Sequence, residues 1–142
     1  MTQETAAPTP GLVAAFTLET AFGPTLDVGK LPIGGERSHW PVSGGRFHGE
    51  GLEAQVKGGA ETRFARADGV TVVEASYYIE AEGTLARAFG TGYLTTDGEF
   101  QGTRLTLLFE AEADGPLAHL AGAAYVAERP AGAAALAIHR IV

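Results

Sequence analysis

The chain has no cysteine, and this removes a disulfide framework, thiolate-held metals and every thiol nucleophile at once. It also lacks a cationic surface. Seventeen acidic residues against ten basic ones give a formal charge of −7, whereas binding to nucleic-acid phosphate needs excess positive charge. No run approaches the ~18 consecutive apolar residues of a membrane span, and MTQETAAPTP has no basic residue ahead of an apolar stretch, as a secretory signal would. The expectation is a cytoplasmic protein with neither nucleic acid nor membrane as partner. Nucleotide cradles of the GxGxxG or GxxxxGK[ST] kind are missing in any strand-to-helix setting, and so is a GxSxG elbow for Ser38, Ser43 or Ser76. No cofactor is expected. His48, His119 and His139 lack metal-ligand spacing, and no metal is expected either.

What the chain does have is glycine, 20 residues of it, with doublets at Gly34-Gly35, Gly44-Gly45 and Gly58-Gly59. Glycine reaches positive φ at little cost, so doublets between alternating runs mark hairpin turns, bulges or barrel corners. The runs themselves have period two. Phe16 and Leu18 alternate with Thr17 and Glu19, Leu52, Ala54 and Val56 with Glu53, Gln55 and Lys57, and Leu105, Leu107 and Phe109 with polar neighbours. Residues 1–10 read as a tail and 11–142 as one domain. Turns are expected at Gly44-Gly45, Gly58-Gly59, Asp68-Gly69, Glu82-Gly83, Asp97-Gly98 and Pro130-Ala131-Gly132, and the stretch from Ala118 to Ala127 reads as strand. The fold class is all-β: an antiparallel, closed or nearly closed barrel of about eight to ten strands.

Several positions within this frame carry chemistry. Glu61 and Arg63 share a strand face, and a carboxylate held inside an apolar barrel would have a raised pKa suited to acid or base work. The plain alternative is a surface salt bridge. Tyr77 shares the face of Val73, Ala75 and Ile79, so its hydroxyl needs a partner inside the barrel, whether structural or a ligand oxygen. Arg37 and His39 share one face of their strand and Trp40 takes the other. If the first face is inward, Arg37 anchors an anion and His39 moves protons; if outward, both are solvated and Trp40 is core.

Three stretches resemble a known family. Gly29 to Arg37 is similar, with one extra residue, to a Gly-x-Pro-x-Gly-x-Arg segment, and Pro41, Gly44, Gly45, Phe47 and Gly49 fit Pro-x-x-Gly-Gly-x-Phe-x-Gly. Gly58, Gly59, Ala60, Asp68, Gly69 and Tyr77 follow a Gly-Gly-Ala-Asp-Trp segment, an Asp-Gly turn and a tyrosine-bearing strand, with Glu61 for Asp and Thr62 for Trp. Ala118-His119-Leu120 stands where Ala-Trp-Leu is usual, with Ala121 for asparagine. Together they resemble the family catalogued as domain of unknown function 3237. The resemblance implies a barrel similar to calycins or to allene oxide cyclase, whose relatives bind or transform hydrophobic small molecules in the lumen.

The expected function is a cofactor-free isomerase, cyclase or lyase acting on a hydrophobic carbonyl- or phenol-bearing molecule. Glu61, Tyr77 and His39 are the candidate catalytic residues, and Arg37, Trp40, Arg63, Val73, Ala75 and Ile79 the candidate ligand contacts. The alternatives are a non-catalytic carrier and a barrel with a filled core. A homodimer through outer faces is also expected.

Overall fold

The computed structural model describes residues 7–142. Residues 1–6 of the expected tail lie outside the described residues, and 7–10 carry no regular structure. Strands follow as β1 (Leu12–Phe22), β2 (Leu26–Lys30), β3 (Glu36–Gly49), β4 (Leu52–Ala65), β5 (Thr71–Ala81), β6 (Thr84–Thr95), β7 (Gly102–Ala111), β8 (Tyr125–Pro130) and β9 (Ala135–Ile141). They form one antiparallel sheet in the order β1-β9-β8-β7-β6-β5-β4-β3-β2, and pairing of β1 with β3 closes it. The result is an eight-stranded closed barrel with β2 as an extra strand. β2 pairs with β3 beyond the end of β1, so β2, β3 and β4 rise as a hood above one mouth. Among the described residues no helix is long and apolar enough to cross a membrane.

Two of the glycine doublets are not turns. Gly44-Gly45 lies within β3 and Gly58-Gly59 within β4, so the two short strands expected around Gly44-Gly45 are one strand of 14 residues. Both doublets mark places where the sheet bends hard enough to bring neighbouring backbones together. A Cβ on Gly45 would lie 1.9 Å from the Glu19 carbonyl oxygen, and one on Gly59, at φ 120°, 2.0 Å from that of Ser76. No other residue fits there without moving a strand.

The expected strand over Ala118–Ala127 is half right. Ala118–Gly122 is a turn of 3-10 helix and only Tyr125 begins β8. Leu117 and Leu120 explain the difference, because both are fully buried and stand three residues apart. Three residues per turn puts them on one side, whereas a strand would point them to opposite faces.

Inward side chains line the bore. Near the end opposite the hood, Phe16 stacks on Phe47 at 4.7 Å, and Phe109 meets Phe47 and Tyr125 edge-on. Leu18, Tyr77, Ile79, Leu107 and Leu136 occupy the middle with at most 1% of their surface exposed. Eight strands leave an interior that side chains can fill or that can hold one small ligand, and here these buried apolar side chains line it. Three buried polar or charged residues interrupt this apolar lining, Glu61, Thr103 and Arg129.

Candidate functional site

Glu61 and Arg129 stand on opposite walls. In the closed strand order β4 and β8 are four steps apart in either direction, so this ion pair spans the barrel. Tyr125, Ala127 and Arg129 alternate inward along β8, which carries a long basic side chain into the bore. Its Nη1 and Nη2 donate to Glu61 Oε2 and Oε1, both at 3.0 Å. From β5, the Tyr77 hydroxyl donates to Oε2 at 2.6 Å. From two residues along β4, Arg63 Nη2 donates to Oε1 at 3.0 Å. Each carboxylate oxygen thus accepts two hydrogen bonds, all from charged or short-range donors.

This geometry sets the protonation states. Burial is the largest single influence on Glu61 and pushes its carboxyl upward, but the hydrogen bonds and charge of Arg129, the Tyr77 hydroxyl and the charge of Arg63 together hold it below the ordinary carboxylate value. The expected raised pKa is therefore corrected: the side chain is interior, yet its donors outweigh desolvation. Nor is Glu61 one half of a surface pair, since none of its surface is exposed. Burial, followed by the Glu61 charge and hydrogen bond, pushes the Tyr77 phenol well above its usual value, so it stays a neutral donor. Burial works against the charge of Arg129, but Glu61 overcomes it and raises that guanidinium further.

The two arginines are held unequally. Arg129 is bidentate, 10% exposed, and lies 5.6 Å from the Phe22 ring centre. Arg63 makes one bond to Glu61, is 17% exposed, and its guanidinium lies over the Trp40 ring at 3.9 Å. Its Nε is buried without a partner. Trp40 meets Phe22 edge-on at 5.9 Å and donates its Nε1–H to Ser38 Oγ at 2.9 Å. The mouth is therefore two half-buried aromatic rings around a guanidinium backed by a buried carboxylate.

Register decides the open question about β3. Trp40 pairs with Glu61 and Ser38 with Arg63, so these four share the inner face. Arg37 and His39 fall on the outer face, where Arg37 lies 5.0 Å from the Phe64 ring centre. The inward option for the Arg37 and His39 face is thereby corrected: strand alternation puts Trp40 in and these two out. Val73, Ala75 and Ile79 do flank Tyr77 on the inner face, but as buried packing below the mouth. Glu61, Tyr77, Arg63 and Trp40 come together as one cluster. Arg129 and Phe22 complete it and were missed in the sequence reading. The signal for Arg129 was a basic residue in phase with Tyr125 and Ala127, hidden by placing the last part of that strand too early. Among the described residues no three His, Asp or Glu side chains gather as metal ligands would.

The family model for proteins of unknown function DUF3237 matches residues 10–133. No curated protein matches the sequence. Among solved structures, a conserved protein of unknown function from Rhodopseudomonas palustris is 22% identical, with TM-score 0.81 over 96% of this chain and 100% of that one. A β-barrel-like protein from Acinetobacter baumannii is 20% identical, with TM-score 0.74 over 97% and 98%. An enzyme from Penicillium herquei is 18% identical, with TM-score 0.81 over 98% and 100%. At these identities the likeness is one of fold.

Proposed function

The chain belongs to the DUF3237 family, and from the geometry of its mouth we propose a cofactor-independent enzyme of the isomerase, cyclase or lyase kind acting on an apolar molecule that bears a carbonyl or phenol. The observation that carries this reading is Arg63, a partly exposed guanidinium pinned on Trp40 and hydrogen-bonded once to a buried carboxylate. The ligand's rings pack on Trp40 and Phe22, and its oxygen takes the guanidinium of Arg63. When a C–H bond beside the carbonyl breaks, its electron pair passes into an enolate whose oxygen is paired with Arg63. Drawing Arg63 away from Oε1 also frees a lone pair on Glu61, and the proton goes there, while Arg129 and Tyr77 hold the carboxylate in place. The fold of the Penicillium herquei enzyme is compatible with this reading.

A second reading is a carrier without chemistry. It is favoured by the four hydrogen bonds that occupy Glu61 and by its lowered pKa, which make a poor base of the resting protein.

One experiment separates the two. The chain has a single tryptophan, so one indole N–H resonance reports on the mouth. Enzyme action requires that 2-acetylnaphthalene shift that resonance in water and that its acetyl protons, in deuterium oxide, exchange faster than in buffer, and Arg63→Gln abolishes the acceleration in a protein whose circular dichroism is unchanged. A shifted resonance with exchange at the buffer rate favours the carrier. An unmoved resonance with exchange at the buffer rate overturns both.

A further inference from the structure

The outer wall of the barrel carries an apolar face. Among the described residues, the exposed large hydrophobic side chains away from the chain ends, from β2 and from the turn after it are Tyr78, Leu85, Tyr93 and Leu108, all on β5, β6 and β7. Single exposed apolar residues are ordinary, but four on adjacent strands make a patch. β4 shows where the patch ends: before its glycine doublet the outward residues are Glu53, Gln55 and Lys57, and after it Ala60, Thr62 and Phe64. We propose that this face binds a second copy of the chain in an isologous dimer, with the two-fold axis running across the strands over Ser76, Phe89 and Leu108, which pair with one another in register.

The face is complementary to itself about that line. A two-fold contact sets residue i against j and j against i. Leu85 and Tyr93 stand four residues either side of Phe89 on β6, so each meets the other's counterpart across the axis. On one side of the line lies a hollow of about 630 Å³, lined by Thr62, Glu74, Thr91 and Thr106. On the other stand Tyr78 and Arg87, paired in register, and rotation about the axis drops their copies into the hollow. Charge agrees with shape. Glu74 makes no ion pair among the described residues, whereas Arg87 lies over the Phe89 ring at 4.4 Å and donates Nε to Ser76 and Nη1 to Glu110, which leaves Nη2 for the partner's Glu74. In a chain of net charge −7 two copies can meet here, because Arg87 and Arg104 offset Glu74 and Glu110. Size agrees as well: Leu85 to Tyr93 covers about 27 Å along the strand and β4 to β7 about 14 Å across. With side chains overhanging each edge, that approaches the roughly 800 Å² per partner of a standard interface.

The test is the mass of the protein in solution and the place of the contact. Sedimentation velocity of the wild type at micromolar concentration is expected to show twice the 14.7 kDa of one chain. Because the chain has no cysteine, one introduced thiol reports one position. Packed sheets stand ~10 Å apart, too far for a disulfide, so a short bis-maleimide linker is used. Leu108→Cys, on the axis, is expected to give a covalent dimer, and Glu19→Cys, exposed on β1 and four strands from β6 in either direction, is expected to remain a single chain. Glu74→Arg and Arg87→Glu are each expected to weaken association about 10-fold, and the variant carrying both to recover it, which a folding defect would not do. A monomeric wild type overturns the proposal. So does a dimer that cross-links through position 19 rather than 108, or one whose affinity the double exchange fails to restore.

Discussion

Replacing Arg129 with methionine isolates the ion pair that crosses the barrel. The side chain keeps most of its apolar volume and loses both bonds to Glu61, those at 3.0 Å to each carboxylate oxygen. What remains is a fully buried carboxylate served by Tyr77 and a partly exposed Arg63. Breaking a buried pair from one side costs about 3–5 kcal/mol, and with Arg63 still present the lower end applies, about 3 kcal/mol. For a domain with a total stability of about 5–15 kcal/mol this is a large fraction, and at this length it lowers Tm by about 10 °C. The loss depends on pH. In the wild type the Glu61 pKa lies below its unfolded value, so its contribution is present above the unfolded carboxyl pKa and disappears as pH falls through the lower, folded one. In the variant burial, the largest influence, is less opposed and raises the folded pKa, so Glu61 now favours folding at low pH and loses that contribution as pH rises. The gap between the two proteins must be widest near pH 7 and must shrink toward pH 4. Urea titrations followed by far-ultraviolet circular dichroism at several pH values measure it. A loss under about 1 kcal/mol at pH 7, or a gap that does not change with pH, refutes the reasoning.

Tyr77→Phe removes the 2.6 Å donor to Oε2 without altering the ring's packing, and is expected to cost about 1.5–3 kcal/mol in the same urea titration, as for a hydrogen bond to a charged group. Gly59→Ala places a Cβ against the Ser76 carbonyl at a positive φ, and is expected to destabilise by about 1–3 kcal/mol and to move the Trp40 indole resonance as β4 shifts.

The barrel was legible because its code is local. Alternation along β1, β4 and β7 needs no knowledge of neighbours, and it placed Leu18, Val56 and Leu107 inside correctly. The glycine doublets were ambiguous for a physical reason: a positive φ serves a turn and a sharply bent strand equally, and only the backbone of the adjacent strand, here at Glu19 and Ser76, distinguishes them. Part of the site followed from the same alternation, since Glu61 and Arg63 are two residues apart and Tyr77 follows the inward phase of Val73 and Ala75. The rest was not local. Arg129 is 68 residues from Glu61 and meets it only because the sheet closes. Missing that partner also reversed the direction assigned to the Glu61 pKa, because burial alone raises a carboxyl while burial with a bidentate arginine, a phenol and a second arginine lowers it. The face of Arg37 and His39 was likewise undetermined until pairing with β4 fixed Trp40 opposite Glu61.

The charge state of Glu61 underlies both the stability of the mouth and the way Arg63 is presented to a ligand. Its side-chain carboxyl carbon, followed by NMR through a pH titration of the wild type and of Arg129→Met, reads that state directly. The wild-type signal is expected to titrate below the ordinary glutamate value and the variant's above it. A wild-type Glu61 that takes up its proton above the ordinary value would contradict the account.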